Sequence, residues 1–186
     1  MGIKIKLIVL FILCFVSCTK IDDNGFKVYK IKKGKHRSTV KIQHTKKDSF
    51  DIQVKFNESA KYTSQHPENQ LDVNKIWGVS DCGTTHHKNS IRFGWRWDLN
   101  QEQIEILMYR RLLGDFDYKQ LGYINPGDIN YMSLDITNNY YYMYLNGIVD
   151  SMGRDCCNDP KRRYFLYPYF GGTEKAPHDV IIKIKD

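Results

Sequence analysis

From Phe50 onward the chain repeats in a period of two. Phe50, Ile52, Val54 and Phe56 alternate with Asp51, Gln53 and Lys55, the pattern of a strand with one wet face. Ile91, Phe93, Trp95 and Trp97 alternate with Arg92, Gly94, Arg96 and Asp98. Ile104, Ile106 and Met108 alternate with Gln103, Glu105 and Leu107, and Met132, Leu134 and Ile136 lie opposite Tyr131, Ser133 and Asp135. Val180, Ile182 and Ile184 form one face of a last strand, with Ile181 interrupting the polar side. Turn chemistry separates the runs: Asn125-Pro126-Gly127-Asp128, Asn138-Asn139 and Asn146-Gly147, the last being the strongest hairpin signal. No helical period of a dozen residues competes. Residues 99–113 come nearest, but Ile104, Ile106 and Met108 keep the period of two. Many short strands joined by such turns predict an all-β fold, an antiparallel sandwich or barrel. The expected register buries Trp95 and exposes Arg92, because a one-residue slip would bury both arginines and expose the tryptophans.

The amino terminus obeys a different rule. Lys4 and Lys6 precede an apolar run, Leu7 to Val16, about half of the ~20 residues a spanning helix needs. Small Ser17 then stands directly before Cys18. This order fits a bacterial lipoprotein signal, with Phe15 where leucine is usual and Cys18 as the lipidated residue of the mature chain. Cys14 fits less well because bulky Leu13 precedes it. The expected organisation is a signal peptide at 1–17, Cys18 and a short polar tether to residue 25, and one β-sandwich domain over 26–186. The address is the cell envelope, lipid-anchored to the outer membrane.

Composition narrows the partners. The net charge of +7 falls to +5 once Lys4 and Lys6 leave with the signal, and 13 Tyr, 9 Phe and 3 Trp argue for a packed core. A basic surface favours acidic polysaccharide or anionic headgroups. The lysines are dispersed and no nucleic-acid-binding motif accompanies them, so nucleic acid is not expected. Cys82, Cys156 and Cys157 remain in the mature chain. An oxidising compartment permits one disulfide among them: Cys82 with either partner, a strained vicinal bridge, or none. They lack CxxC spacing, and no metal or cofactor is assigned.

Three segments carry a resemblance: Asn74-Lys75-Ile76-Trp77-Gly78, HHKNSIRFGWRW at 86–97 and YPYFGGTEKAPHD at 167–179. Together they resemble a family of Bacteroidota lipoproteins, which implies a concanavalin A-like (jelly-roll) β-sandwich but no biochemical role. Asp22-Asp23 after Cys18 resembles a surface-export signal of such proteins. The fold implied hosts lectins, binding modules, hydrolases and polysaccharide lyases, and does not choose among them.

The candidate ligand-binding residues are His86, His87, Asn89, Arg92, Arg96 and Tyr109. Imidazoles move protons or bind metal, and guanidinium pairs bidentately with carboxylate. Arg92 and Arg96 share a strand face about 13 Å apart, with Gly94 between them leaving room for another backbone. In an extended segment His86 and His87 point to opposite faces, an objection that a loop would remove. Tyr140, Tyr142 and Tyr144 share one face of a further strand, where they either pack across strands or stack on sugar rings. A retaining hydrolase needs an acid pair on one face, whereas Glu102 and Glu105 are three apart and face opposite ways. His178 and Asp179 are adjacent and oppose each other likewise. The expected function is therefore a non-catalytic glycan- or partner-binding module of the envelope. The alternative is a polysaccharide lyase with a tyrosine or histidine base and Arg92 or Arg96 on the uronate.

Overall fold

A computed structural model describes residues 20–156 and 162–186. Cys18 and Cys157 lie outside the described residues. Two six-stranded antiparallel sheets face each other. The first takes the order β1 (Lys27–Ile31), β12 (Val180–Lys185), β3 (Ser49–Phe56), β8 (Ile129–Ile136), β9 (Tyr140–Leu145), β10 (Ile148–Gly153). The second runs β2 (His44–Thr45), β11 (Arg163–Leu166), β4 (Asn74–Ser80), β5 (Ser90–Asp98), β6 (Gln103–Leu112), β7 (Asp115–Ile124). Short 3-10 turns at Glu58–Ala60 and Pro67–Leu71 lie in the β3–β4 connection.

The apolar positions of the two-residue pattern meet between the sheets. Ile91, Phe93 and Trp95 of β5 and Ile104, Ile106 and Met108 of β6 are fully buried, as are Val54, Leu134, Met143 and Ile182 of the opposing sheet. Aromatic rings tie the layers together, with Phe56 and Tyr62 against Trp95 at 5.1 and 5.7 Å. Asn146-Gly147 closes the β9–β10 hairpin. The sandwich and its turns thus form where the alternation placed them.

One expectation changes. Trp95 is buried as predicted, but Arg92 on the opposite face is only 8% exposed. The alternation is correct, yet the outer face of the second sheet is covered. Val73 crosses it, with one methyl 2.5 Å from where a Gly94 Cβ would stand. The room left by Gly94 is therefore filled by a side chain of the incoming segment, and any larger residue there would have to displace it. Val73 packs on Leu107 and Tyr109 as a second, smaller apolar cluster.

A buried ionic knot pins the end of the sandwich near the second sheet's β4. Asp81 has no exposed surface and accepts from Arg154 Nε at 2.6 Å, Arg163 Nε at 2.8 Å and Tyr141 Oη at 2.7 Å. Burial opposes its ionisation, but the Arg154 and Tyr141 hydrogen bonds and the Arg163 charge outweigh that and hold its carboxyl below the usual range. Beside it Cys82 and Cys156 form a disulfide across 74 residues, with Cα atoms 5.1 Å apart. This is one of the pairings that the cysteine count left open. Asp81, Cys82 and Cys156 could be mistaken for a metal set, but the sulfurs bond to each other and the carboxylate is taken by arginines.

Candidate anion-binding face

The residues of interest line the outer face of the second sheet. In antiparallel register Arg92 of β5 stands opposite Gly78 of β4 and Tyr109 of β6, and Tyr109 stands opposite Tyr118 of β7. The next row holds Ser90, Arg111 and Phe116. A row on the other side holds Lys75, Gly94 and Leu107. Directly opposite residues share a face, so Lys75, Arg92, Tyr109, Arg111, Phe116 and Tyr118 form one patch. Tyr169 extends it past β4, bridged on its two sides to Lys75 and Arg37.

Arg92 sits at the centre. Gly78 makes this possible: a Cβ there would fall 2.6 Å from the Arg92 Cα and 2.9 Å from its Cγ. Nη2 donates to the Tyr167 carbonyl at 2.9 Å, while the enclosed Nε has no acceptor. Among the described residues no carboxylate pairs with this guanidinium. Burial lowers its pKa to about 10, opposed by Tyr109, Tyr169 and Tyr164, so it stays charged at neutral pH. Lys75 Nζ lies 4.3 Å from the Tyr109 ring centroid and donates to the Val73 carbonyl at 2.6 Å. Burial, then the charges of Arg92 and Arg111, push Lys75 down to about 7, with Asp72 opposing. Three cationic side chains thus repel one another here. The rings of Tyr109 and Phe116 stack at 5.9 Å, with Phe116 and Tyr118 exposed.

The predicted residues divide. His86, Arg92 and Tyr109 belong to this region. His86 lies in a turn, so its ring and that of His87 are side by side, 4.1 Å between centroids. The His86 backbone N–H donates to Tyr164 Oη at 2.8 Å, and its Nδ1 lies 2.9 Å from the same oxygen. Burial, then His87, Arg92, Arg37 and Arg111, lowers the His86 pKa to about 4. His87 is exposed. Asn89 instead braces loops: its amide donates to Thr84 Oγ1 at 3.0 Å and accepts from the Leu113 N–H at 3.0 Å.

Arg96 is set apart from Arg92. Val73 lies between them over Gly94, and Arg96 pairs with buried Glu105 and donates to the Leu71 carbonyl at 2.9 Å. It is a neutralised cation, unlike Arg92. Glu105 is consumed in that pair, and Glu102 sits in the β5–β6 turn, so the two do not combine as an acid pair. His178 contacts the Ser59 carbonyl at 2.9 Å while Asp179 pairs with Lys30. Sequence reading missed Lys75, Arg111, Phe116, Tyr118 and Tyr164. Arg111 had a visible signal, because the alternation of β6 puts 109 and 111 on one face. Lys75 had none, since its neighbours come from β5 and β6.

No family model matches the chain, and no curated protein matches it in sequence. Solved structures do. Alginate lyase AlyC3 superposes with a TM-score of 0.60 at 10% identity, covering 89% of this chain and 75% of that one. SCLam, a non-specific endo-β-1,3(4)-glucanase from family GH16, gives 0.57 at 9% identity, covering 87% and 70%. The PL7 alginate lyase AlyA1 from Zobellia galactanivorans gives 0.55 at 12% identity, covering 89% and 77%. The fold is the jelly-roll sandwich. At these identities the likeness concerns the fold, and the chemistry must be argued from the chain's own residues.

Proposed function

We propose that this jelly-roll protein binds an acidic polysaccharide across the outer face of the second sheet, with Arg92 pairing a uronate carboxylate. The observation that carries the reading is Arg92 itself, a guanidinium enclosed beside Lys75 and Arg111 with no carboxylate partner among the described residues. A bound carboxylate would relieve the repulsion among the three cations, and a charge-assisted bond of this kind contributes about 1.5–3 kcal/mol. Exposed Phe116 and Tyr118 offer rings to the apolar faces of sugars. AlyC3, of the same fold, has been solved with dimannuronate, which agrees with an acidic chain as ligand. Calorimetry with uronate oligomers should show binding that weakens with salt and falls about 10- to 100-fold in Arg92→Ala. Arg96→Ala should lose less affinity than Arg92→Ala, since the Arg96 charge is already paired with Glu105 and meets the site only through the Tyr118 ring, 5.7 Å from its centroid. Equal affinity of Arg92→Ala and wild type would refute the proposal.

A second reading, a polysaccharide lyase, is favoured by one observation: the neutral His86 imidazole, in hydrogen-bond contact with Tyr164, lies within electrostatic reach of Arg92. A neutral imidazole can take the C–H proton beside a neutralised uronate. Absorbance near 235 nm during incubation with alginate, pectin and glycosaminoglycans tests it, since β-elimination creates an unsaturated product. Silence with every substrate would leave the binding role alone.

The address is part of the same proposal. Ser17-Cys18 after the apolar run supports a lipid-anchored envelope protein of the Bacteroidota type that the 74–78, 86–97 and 167–179 segments resemble. Mass spectrometry of the membrane-extracted protein should find acylated Cys18, and an intact Met1 would contradict it.

A further inference from the structure

The opposite face of the molecule carries a second array that the acidic-glycan reading does not use. Along β9 the odd members of the tyrosine run split from the even ones. Tyr141 is buried in the core, while Tyr140, Tyr142 and Tyr144 stand on the outer face of the first sheet. Tyr131 of β8 joins them, 62% exposed, and Tyr140 is 47% exposed. Successive members of the β9 row are two residues apart, so the row runs about 13 Å along the strand. Tyr140 and Tyr142 lie with ring centroids 6.0 Å apart and planes 47° from parallel. This is cross-strand packing only in part, because the partners opposite them are small or polar. Ser133 and Val149 flank Tyr144, and Asp135 and Ser151 flank Tyr142.

The charges around this row separate it from the basic face. Asp135 lies directly opposite Tyr142, and Asp51 stands one strand further, bonded to the Ser133 hydroxyl at 2.6 Å. Neither is seen in an ion pair among the described residues. The lysines of this face, Lys30, Lys55, Lys183 and Lys185, lie on β1, β3 and β12, away from the β9 row, with Lys183 paired to Asp22 and Lys30 to Asp179. A uronate chain laid on the tyrosines would therefore meet carboxylates, and like charges would repel it. An uncharged sugar chain meets neither penalty. Its C–H faces can stack on the phenol rings, and its hydroxyls can donate to Asp51 and Asp135 and exchange hydrogen bonds with the phenol oxygens.

We propose that the Tyr131, Tyr140, Tyr142 and Tyr144 face is a second glycan-binding surface, selective for uncharged polysaccharide. It is independent of the Arg92 face on the other sheet, so one molecule can hold a neutral and an acidic polymer on opposite sides. Native gels cast with laminarin, mixed-linkage β-glucan or galactomannan, and in parallel with alginate, test this on the full chain. The expected result is retardation of wild type and of Arg92→Ala alike by at least one neutral polymer. In Tyr142→Ala/Tyr144→Ala the apparent affinity for that polymer should drop at least fivefold, with alginate retardation unchanged. Should that double variant fail to fold, Tyr131→Ala provides the same comparison from the most exposed ring. No retardation of wild type by any neutral polymer would overturn the proposal. So would retardation that survives both tyrosine variants, or that is lost in Arg92→Ala. Self-association of wild type that the tyrosine variants abolish, without glycan binding, would instead identify the face as a contact between copies of the chain.

Discussion

Raising the pH from 6 to 8 should weaken acidic-oligosaccharide binding about tenfold through Lys75. In the free protein burial and the Arg92 and Arg111 charges hold its pKa at about 7. A carboxylate bound at this face favours the ammonium form and raises that pKa toward its ordinary value near 10.4. Binding at pH 8 must then first protonate a lysine that is about nine-tenths neutral, whereas at pH 6 it is already charged. The affinity ratio is about tenfold, or about 1.4 kcal/mol. Two neighbouring groups keep their charge state across the window. His86, at about 4, is neutral throughout, and Arg92, at about 10, is charged throughout. Calorimetry in buffers of differing ionisation enthalpy should register uptake of about 0.9 proton per site at pH 8 and almost none at pH 6. Lys75→Met should bind more weakly than wild type at pH 6 and show a flat profile. A flat profile in wild type, or an unaltered slope in Lys75→Met, would refute the assignment of Lys75 to the site.

Asp81→Asn should cost about 3–5 kcal/mol in denaturant titrations, because it sets a neutral amide against the buried Arg154 guanidinium and leaves Arg163 with Asp48 in place of two carboxylates. A loss under about 1 kcal/mol would mean the knot is not ionic in the folded state. The Asp81 carboxyl is depressed on folding, so its contribution is present above the unfolded pKa near 3.9 and disappears as pH falls through the lower folded value. Acid unfolding monitored by circular dichroism should therefore be less steep in Asp81→Asn. Gly78→Ala should destabilise by about 1–3 kcal/mol and weaken acidic-glycan binding together, since its Cβ would stand 2.1 Å from the Ile91 carbonyl and crowd Arg92. Wild-type affinity in that variant would separate Arg92 from the site. Trp95→Ala should cost about 3–5 kcal/mol by thermal or denaturant unfolding, given its complete burial between Phe56, Tyr62 and Phe170.

The period of two is a local property of the backbone, so where it runs, in β3, β5, β6, β8, β9 and β12, the sequence alone determined the strand and its alternation of faces. It put Trp95 toward the core and Arg92 away from it, Tyr140, Tyr142 and Tyr144 together on one face, and a hairpin at Asn146-Gly147. Alternation says nothing about what lies over the other side. Val73 reaches Gly94 from the segment before β4, and the 164–169 segment brings the Tyr167 carbonyl and the Tyr164 and Tyr169 side chains to Arg92, long-range approaches that turn a wet arginine face into an enclosed one. The arginines four residues apart looked equivalent for the same reason. Arg96 meets Glu105 across the β5–β6 hairpin, while no carboxylate stands opposite Arg92, where Tyr109 does. Lys75 gains its cationic neighbours from strand order, and Asp81 gains Arg154 and Arg163 from 73 and 82 residues away. Charge in a folded chain is governed by distance and burial, and both are set by which strands become neighbours, so they were decided only by the tertiary structure.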